Sequence, residues 1–139
     1  MRITRFISGG KVLLGQDIDG QFARRIDGEL FGSFRVTDER LKVEKRLAPL
    51  VPADILCIGL NYRDHAAESG SAVPQNPVLF IKASTTLNNP GDPIPIPRRS
   101  DKIDYEGELC VVIGKTARHV SRERALDYVF GDCVANDVS

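Results

Sequence analysis

The 139 residues suffice for one domain of ordinary size, or for a small domain and part of a larger one. A content of 42% hydrophobic and 27% charged residues is that of a globular protein, and nineteen acidic residues balance nineteen basic ones. Neither sign forms a long block, which argues against a general nucleic-acid or anionic-membrane surface; no apolar run approaches the ~20 residues of a membrane span, and the opening MRITRFISGGKVLLG lacks the apolar core of a secretory signal.

Residues 1–50 read as a small N-terminal β-domain. RITRFI, KVLLGQDI, GQFARRI and GELFGSFRV are short alternating runs divided by Gly9-Gly10, Asp19-Gly20 and Asp27-Gly28, all hairpin-turn signals. TDERLKVEKRLAPLVP follows as a charged, weakly helical linker closed by prolines. Residues 51–139 form a second unit, opening with DILCIGL as a buried strand. NYRDHAAES is a short helix that Gly70 ends, PVLFIKAS is another strand, and NNPGDPIPIPRRSD, with four of the eight prolines, is an extended connection.

IDYEGELCVVIG is the next strand, GKTARHV a turn, SRERALDYVF a helix that Ser121 can cap, and GDCVANDVS a last strand. A chain that stops within such a strand leaves backbone unpaired unless more chain or a partner covers it, so the sequence reads as truncated. Cys57, Cys110 and Cys133, odd in number and set in apolar runs, read as reduced, buried cysteines of a cytoplasmic protein, without a C-x-x-C pair for zinc or redox work.

Glu106 and Glu108 share one face of their strand, roughly 7 Å apart, and Leu109–Ile113 supplies no compensating cation. Either both sit in water or something positive lies between them. Asp137, next to Ala135 on the face of an otherwise apolar strand, completes a hard, all-oxygen set suited to Mg²⁺, Mn²⁺ or Ca²⁺. Asp104 is left out as too early in the chain to share the glutamate face. His65 and Glu68, three apart on a helical turn, are either an incidental surface pair or an imidazole oriented by a carboxylate. Lys82 interrupts the apolar LFIK, pointing into a cleft or snorkelling to the surface. His119, beside Arg118 in a turn, reads as solvated. IGKT is no P-loop, since the glycine required before it is Leu109.

CIGLNYRDHAAE, PVLFIKAST, DYEGELCVVIGK and ALDYVFGDCVANDVS, in this order and spacing, resemble the fumarylacetoacetate hydrolase superfamily over residues 54 to 139. The resemblance implies a mixed β fold with few helices, the small β-domain leading into the first part of a β-roll catalytic domain. It implies that Glu106, Glu108 and Asp137 are metal ligands, with Mg²⁺ or Mn²⁺ expected and Ca²⁺ possible. It makes His65 and Glu68 a catalytic dyad and places Lys82 near substrate. Position 58 is Ile where the fumarylacetoacetase branch has an acidic ligand, so the chain looks more like the acylpyruvase and isomerase/decarboxylase branch. The substrate-binding residues that the family carries after NDVS are absent from this sequence.

The implied reaction is C–C bond hydrolysis of an acylpyruvate- or fumarylacetoacetate-like diketo acid through a metal-stabilised enolate, in a protein expected to be a homodimer. Isomerisation or decarboxylation of 2-oxo-ene-dioates in aromatic catabolism is the alternative. A non-enzymatic reading also stands: a metal-binding or assembly fragment without turnover.

Overall fold

The computed structural model describes residues 1–139, and it is the mixed β structure with few helices that the resemblance implies. Strands β1 (Ile3–Ser8), β2 (Lys11–Asp17), β3 (Phe22–Gly28), β4 (Phe34–Lys42) and β5 (Lys45–Leu47) form one sheet in the order β4-β3-β2-β1-β5. Gly9 and Gly10, with φ of 55° and 74°, make the two-residue turn between β1 and β2, where only a residue without Cβ accepts both left-handed conformations cheaply. The Phe6 ring is fully buried, and Gly15 lets it and Ala23 pack close: a Cβ at position 15 would lie 2.9 Å from Ala23 Cβ and 3.0 Å from the Phe6 ring.

Under this sheet lies one buried charge. The Asp17 carboxylate has no exposed surface; it accepts from Arg46 at 2.8 Å and from the Gly20 N–H at 2.8 Å, with the Arg2 guanidinium 3.1 Å away. Burial pushes its pKa up, but the Arg46 and Gly20 hydrogen bonds and the charges of Arg46 and Arg2 outweigh this, leaving it below its usual value.

The charged passage TDERLKVEKRL is strand, not a helical linker: it forms most of β4 and all of β5. These are the two edge strands, where charged side chains can face water and discourage further pairing. Glu39 on β4 pairs with Arg25 at 3.2 Å, and Arg40 lies over the Phe22 ring at 4.0 Å. The reversal at Asp27-Gly28 also differs from a tight hairpin, because β4 begins only at Phe34 and Glu29 closes a longer loop onto the Ser33 carbonyl at 3.1 Å.

The remaining elements are β6 (Ile55–Gly59), α1 (Arg63–Glu68), β7 (Val78–Lys82), β8 (Gly107–Ile113) and β9 (Val129–Asn136), with 3-10 helices at Ser84–Thr86 and Arg122–Tyr128. β6 pairs with β7 and β8 with β9, each as an antiparallel two-stranded sheet. DILCIGL is a strand but not a buried one. Leu56, Leu79 and Ile81 are each at least 60% exposed, because a two-stranded sheet has no second layer of its own. The SRERALDYVF helix is of the tighter 3-10 type, and Ser121 precedes it without a side-chain capping bond. By its contacts the chain divides into two compact units, Met1–Arg25 with Asp38–Asp92, and Ile26–Thr37 with Pro93–Ser139. No helix is long and apolar enough to cross a membrane.

Candidate functional site

The acidic residues lie on the β8–β9 hairpin. Its register sets Gly107 opposite Asn136, Glu108 opposite Ala135 and Cys110 opposite Cys133 without interruption as far as Val112. The pairing continues beyond the strand ends. Asp137 donates its N–H to the Glu106 carbonyl at 2.8 Å, and Asp104 and Ser139 exchange backbone bonds at 2.9 and 3.2 Å. Glu106 N–H donates to Asn136 Oδ1 at 3.0 Å, and Ser139 Oγ donates to Glu106 Oε1.

Residues opposite each other in a ladder share a face, as do residues two apart on one strand. Glu106, Glu108 and Asp137 therefore stand on one side of the hairpin, all half-buried, together with Cys110, Cys133 and Ala135. The other side carries Leu109 and Val134, 62% and 86% exposed. Neither β8 nor β9 contains Lys or Arg. Ala135 opposite Glu108 adds only a methyl group beside it.

As a donor set these residues fit a hard divalent cation: carboxylate oxygens on one face, a serine hydroxyl beside one of them, and no soft ligand required. The backbone places them in adjacent rows, but their side chains are not drawn together. No three His, Cys, Asp or Glu side chains in the chain converge as a metal-holding group.

Asp104 was excluded on the ground of its face, and the ladder corrects this. Paired with Ser139 and two residues before Glu106, it belongs to the same alternation, though it is exposed. Ser139 and Asn136 are further polar residues that the acidic pattern does not single out; their one sequence signal is lying within two positions of Asp137.

His65 and Glu68 lie on α1, one turn apart and both exposed. The buried Ala66, 1% exposed, anchors the helix, and Gly70, with φ of 64°, ends it. Lys82 is the last residue of β7, half-buried and opposite Ile55. These three residues belong to the unit containing Asp38–Asp92, and the three acidic residues to the unit containing Pro93–Ser139. His119 is exposed, with φ of 51°, and lines a cavity of about 330 Å³ with Arg118, Ser121, Arg124 and Tyr128, among which none of the candidate residues lies.

The cysteines are half-buried rather than buried, since each two-stranded sheet leaves them partly open. Burial pushes the Cys133 thiol up to about 11, with the charge of Cys110, a hydrogen bond to it and Asp132 adding to the shift.

Residues 54–139 match the family described as fumarylacetoacetate (FAA) hydrolase C-terminal. An uncharacterised protein of Archaeoglobus fulgidus is 42% identical over 139 residues, 99% of this chain and 52% of its own length. The mitochondrial oxaloacetate tautomerase of Xenopus laevis is 46% identical over 94 residues, 67% of this chain and 30% of its own. The crystal structure of 2-hydroxyhepta-2,4-diene-1,7-dioate isomerase from Mycobacterium marinum superposes with a TM-score of 0.82 at 30% identity, covering all of this chain and 54% of that one. The chain thus spans about half the length, or less, of these relatives, and it belongs to the fumarylacetoacetate hydrolase family.

Proposed function

We propose that this chain carries part of the machinery of a divalent-metal-dependent enzyme that cleaves a C–C bond in acylpyruvate- or fumarylacetoacetate-like diketo acids. The observation that supports this most is the backbone bond between Asp137 and Glu106, which sets two carboxylates across from each other with Glu108 next on the same face. Glu106, Glu108 and Asp137 would hold Mg²⁺ or Mn²⁺, with Ca²⁺ as the alternative. Held there, such an ion would supply positive charge that offsets the negative charge developing on substrate oxygens during bond breaking.

The chain's own groups supply the rest. His65 takes a proton from the attacking water, and Glu68 orients the imidazole. Lys82 offers an ammonium to a substrate carboxylate. Ser139 holds one oxygen of Glu106 and so directs the other.

A second reading is isomerisation, decarboxylation or tautomerisation of a 2-oxo acid, in which the same enolate forms by loss of a proton or of CO₂. The named isomerase among similar structures and the named tautomerase among relatives support it. A third is a metal-binding fragment without turnover. In each case a homodimer is expected, in the cytoplasm.

Product analysis separates these readings. The purified protein is given acetylpyruvate, oxaloacetate and a 2-oxo-ene-dioate, each with Mg²⁺ and with a chelator. Mg²⁺-dependent release of acetate and pyruvate supports hydrolysis. Exchange of the enol and keto forms without cleavage supports isomerisation, and Mg²⁺ binding with no turnover supports the fragment.

A further inference from the structure

Cys110 and Cys133 are 23 positions apart in sequence and directly opposite each other on β8 and β9. We infer that this pair is a redox-modification site, closing to a cross-strand disulfide on exchange with low-molecular-weight disulfides. Three features carry the inference.

The first is register. The Asp137–Glu106 ladder bond and the unbroken pairing up to Val112 put Cys110 and Cys133 in the same hydrogen-bonded phase as Glu106 and Asp137. Such pairs hold their Cα atoms about 5.5 Å apart, inside the range of about 4.4–6.8 Å that a disulfide spans. The second is direction, because the side chains of an opposed pair leave the sheet on the same side. The third is access. Both cysteines are half-buried, so neither is sealed from solvent.

The reaction balances as thiol–disulfide exchange. One cysteine sulfur attacks the reagent, forms a mixed disulfide and releases one thiol. The opposite sulfur then attacks that mixed disulfide, the Cys110–Cys133 bond forms and the second thiol leaves. The two cysteines are oxidised, the reagent is reduced, and their two protons pass to the departing thiols. The raised Cys133 pKa slows the attack, so the reaction is read at equilibrium rather than as an initial rate.

The test equilibrates the purified protein in oxidised and reduced glutathione, followed by acid quench, alkylation, proteolysis and mass spectrometry. The expected result is one intramolecular cross-link between the Cys110 and Cys133 peptides, with Cys57 recovered alkylated and the link reversed by dithiothreitol. The linked chain unfolds about 5 °C or more above the reduced chain, because the bond closes a loop in the unfolded state. Cys57→Ser must retain the cross-link and the shift. Cys110→Ser must lose both, while Cys133→Ser should leave a glutathione adduct on Cys110. The proposal is overturned if the native protein yields only mixed adducts, if Cys57 replaces either partner, or if the link forms only in urea.

Discussion

Asp137 reaches back across the hairpin to Glu106: its N–H donates to the Glu106 carbonyl at 2.8 Å, although β8 begins only at Gly107 and β9 ends at Asn136. This single bond extends the ladder by one position and decides which side each carboxylate takes. Glu106 and Asp137 are directly opposed, and Glu108 follows on the same face. The Asp137 N–H bond to the Glu106 carbonyl is a main-chain bond, so exchanging the Glu106 side chain leaves it in place.

Glu106→Ala therefore tests the ligand set with the hairpin intact. Mg²⁺ affinity measured by calorimetry should fall at least about 10²-fold, more than is usual for losing a residue that only supports a ligand. Metal-dependent turnover should vanish, and the circular dichroism spectrum should not change. Unaltered affinity would remove Glu106 from the set.

His65→Ala separates proton transfer from metal binding. The imidazole lies on exposed α1, so the substitution should be silent for Mg²⁺ affinity and for stability. Hydrolysis should fall by ~10² to 10⁴, the usual contribution of a general base. Glu68→Gln, which weakens only the orientation of His65, should reduce turnover less. An equal fall in Mg²⁺ affinity and turnover in His65→Ala would show the histidine to be structural.

Much of this architecture was legible because it rests on local signals. Gly9-Gly10 demands a hairpin, the alternation of GELCVVI demands a strand, and Gly70 ends α1, so β1, β2, β8 and α1 fall close to where the pattern puts them. TDERLKVEKRL misled because charge argues for solvent and not for a particular backbone; at a sheet edge, a strand satisfies it as well as a helix does. Cys110 and Cys133 could not be joined from sequence, since no local rule relates positions on two strands until their register is known. The same lack of register hid Asp104, whose partner Ser139 lies beyond the end of the facing strand.

Gly28→Ala probes the long reversal that replaces a tight hairpin. Gly28 has φ of 103°, and a Cβ there would lie 2.3 Å from the Ser33 carbonyl oxygen. Backbone on both sides of the clash prevents relief by a side-chain rotation. Urea unfolding should show a loss of about 2 kcal/mol or more, beyond the usual effect of a strained glycine site. Gly91→Ala is the control, with a positive φ of 80° and open space around it, and should lose about 1 kcal/mol. Equal losses would mean that conformation and not the clash sets the effect.

Asp17 predicts how the sheet responds to acid. Its carboxylate is fully buried and bonded to Arg46 and Gly20, and its folded pKa lies below the ordinary 3.8. A depressed folded value means the unfolded chain binds the proton more readily. The stabilisation is therefore complete above the ordinary value and is lost as the pH falls below 3.8 toward the folded one. Asp17→Ala should cost on the order of 1–3 kcal/mol at pH 7, because it removes the carboxylate that accepts from Arg46 and the Gly20 N–H, while Arg46, about a third exposed, keeps its bond to the Gly20 carbonyl. Urea midpoints of the wild type and the variant, taken from pH 7 down to pH ~2, should converge as the acid removes the charge that the variant already lacks. A constant gap across that range would show that Asp17 acts through packing rather than through its charge.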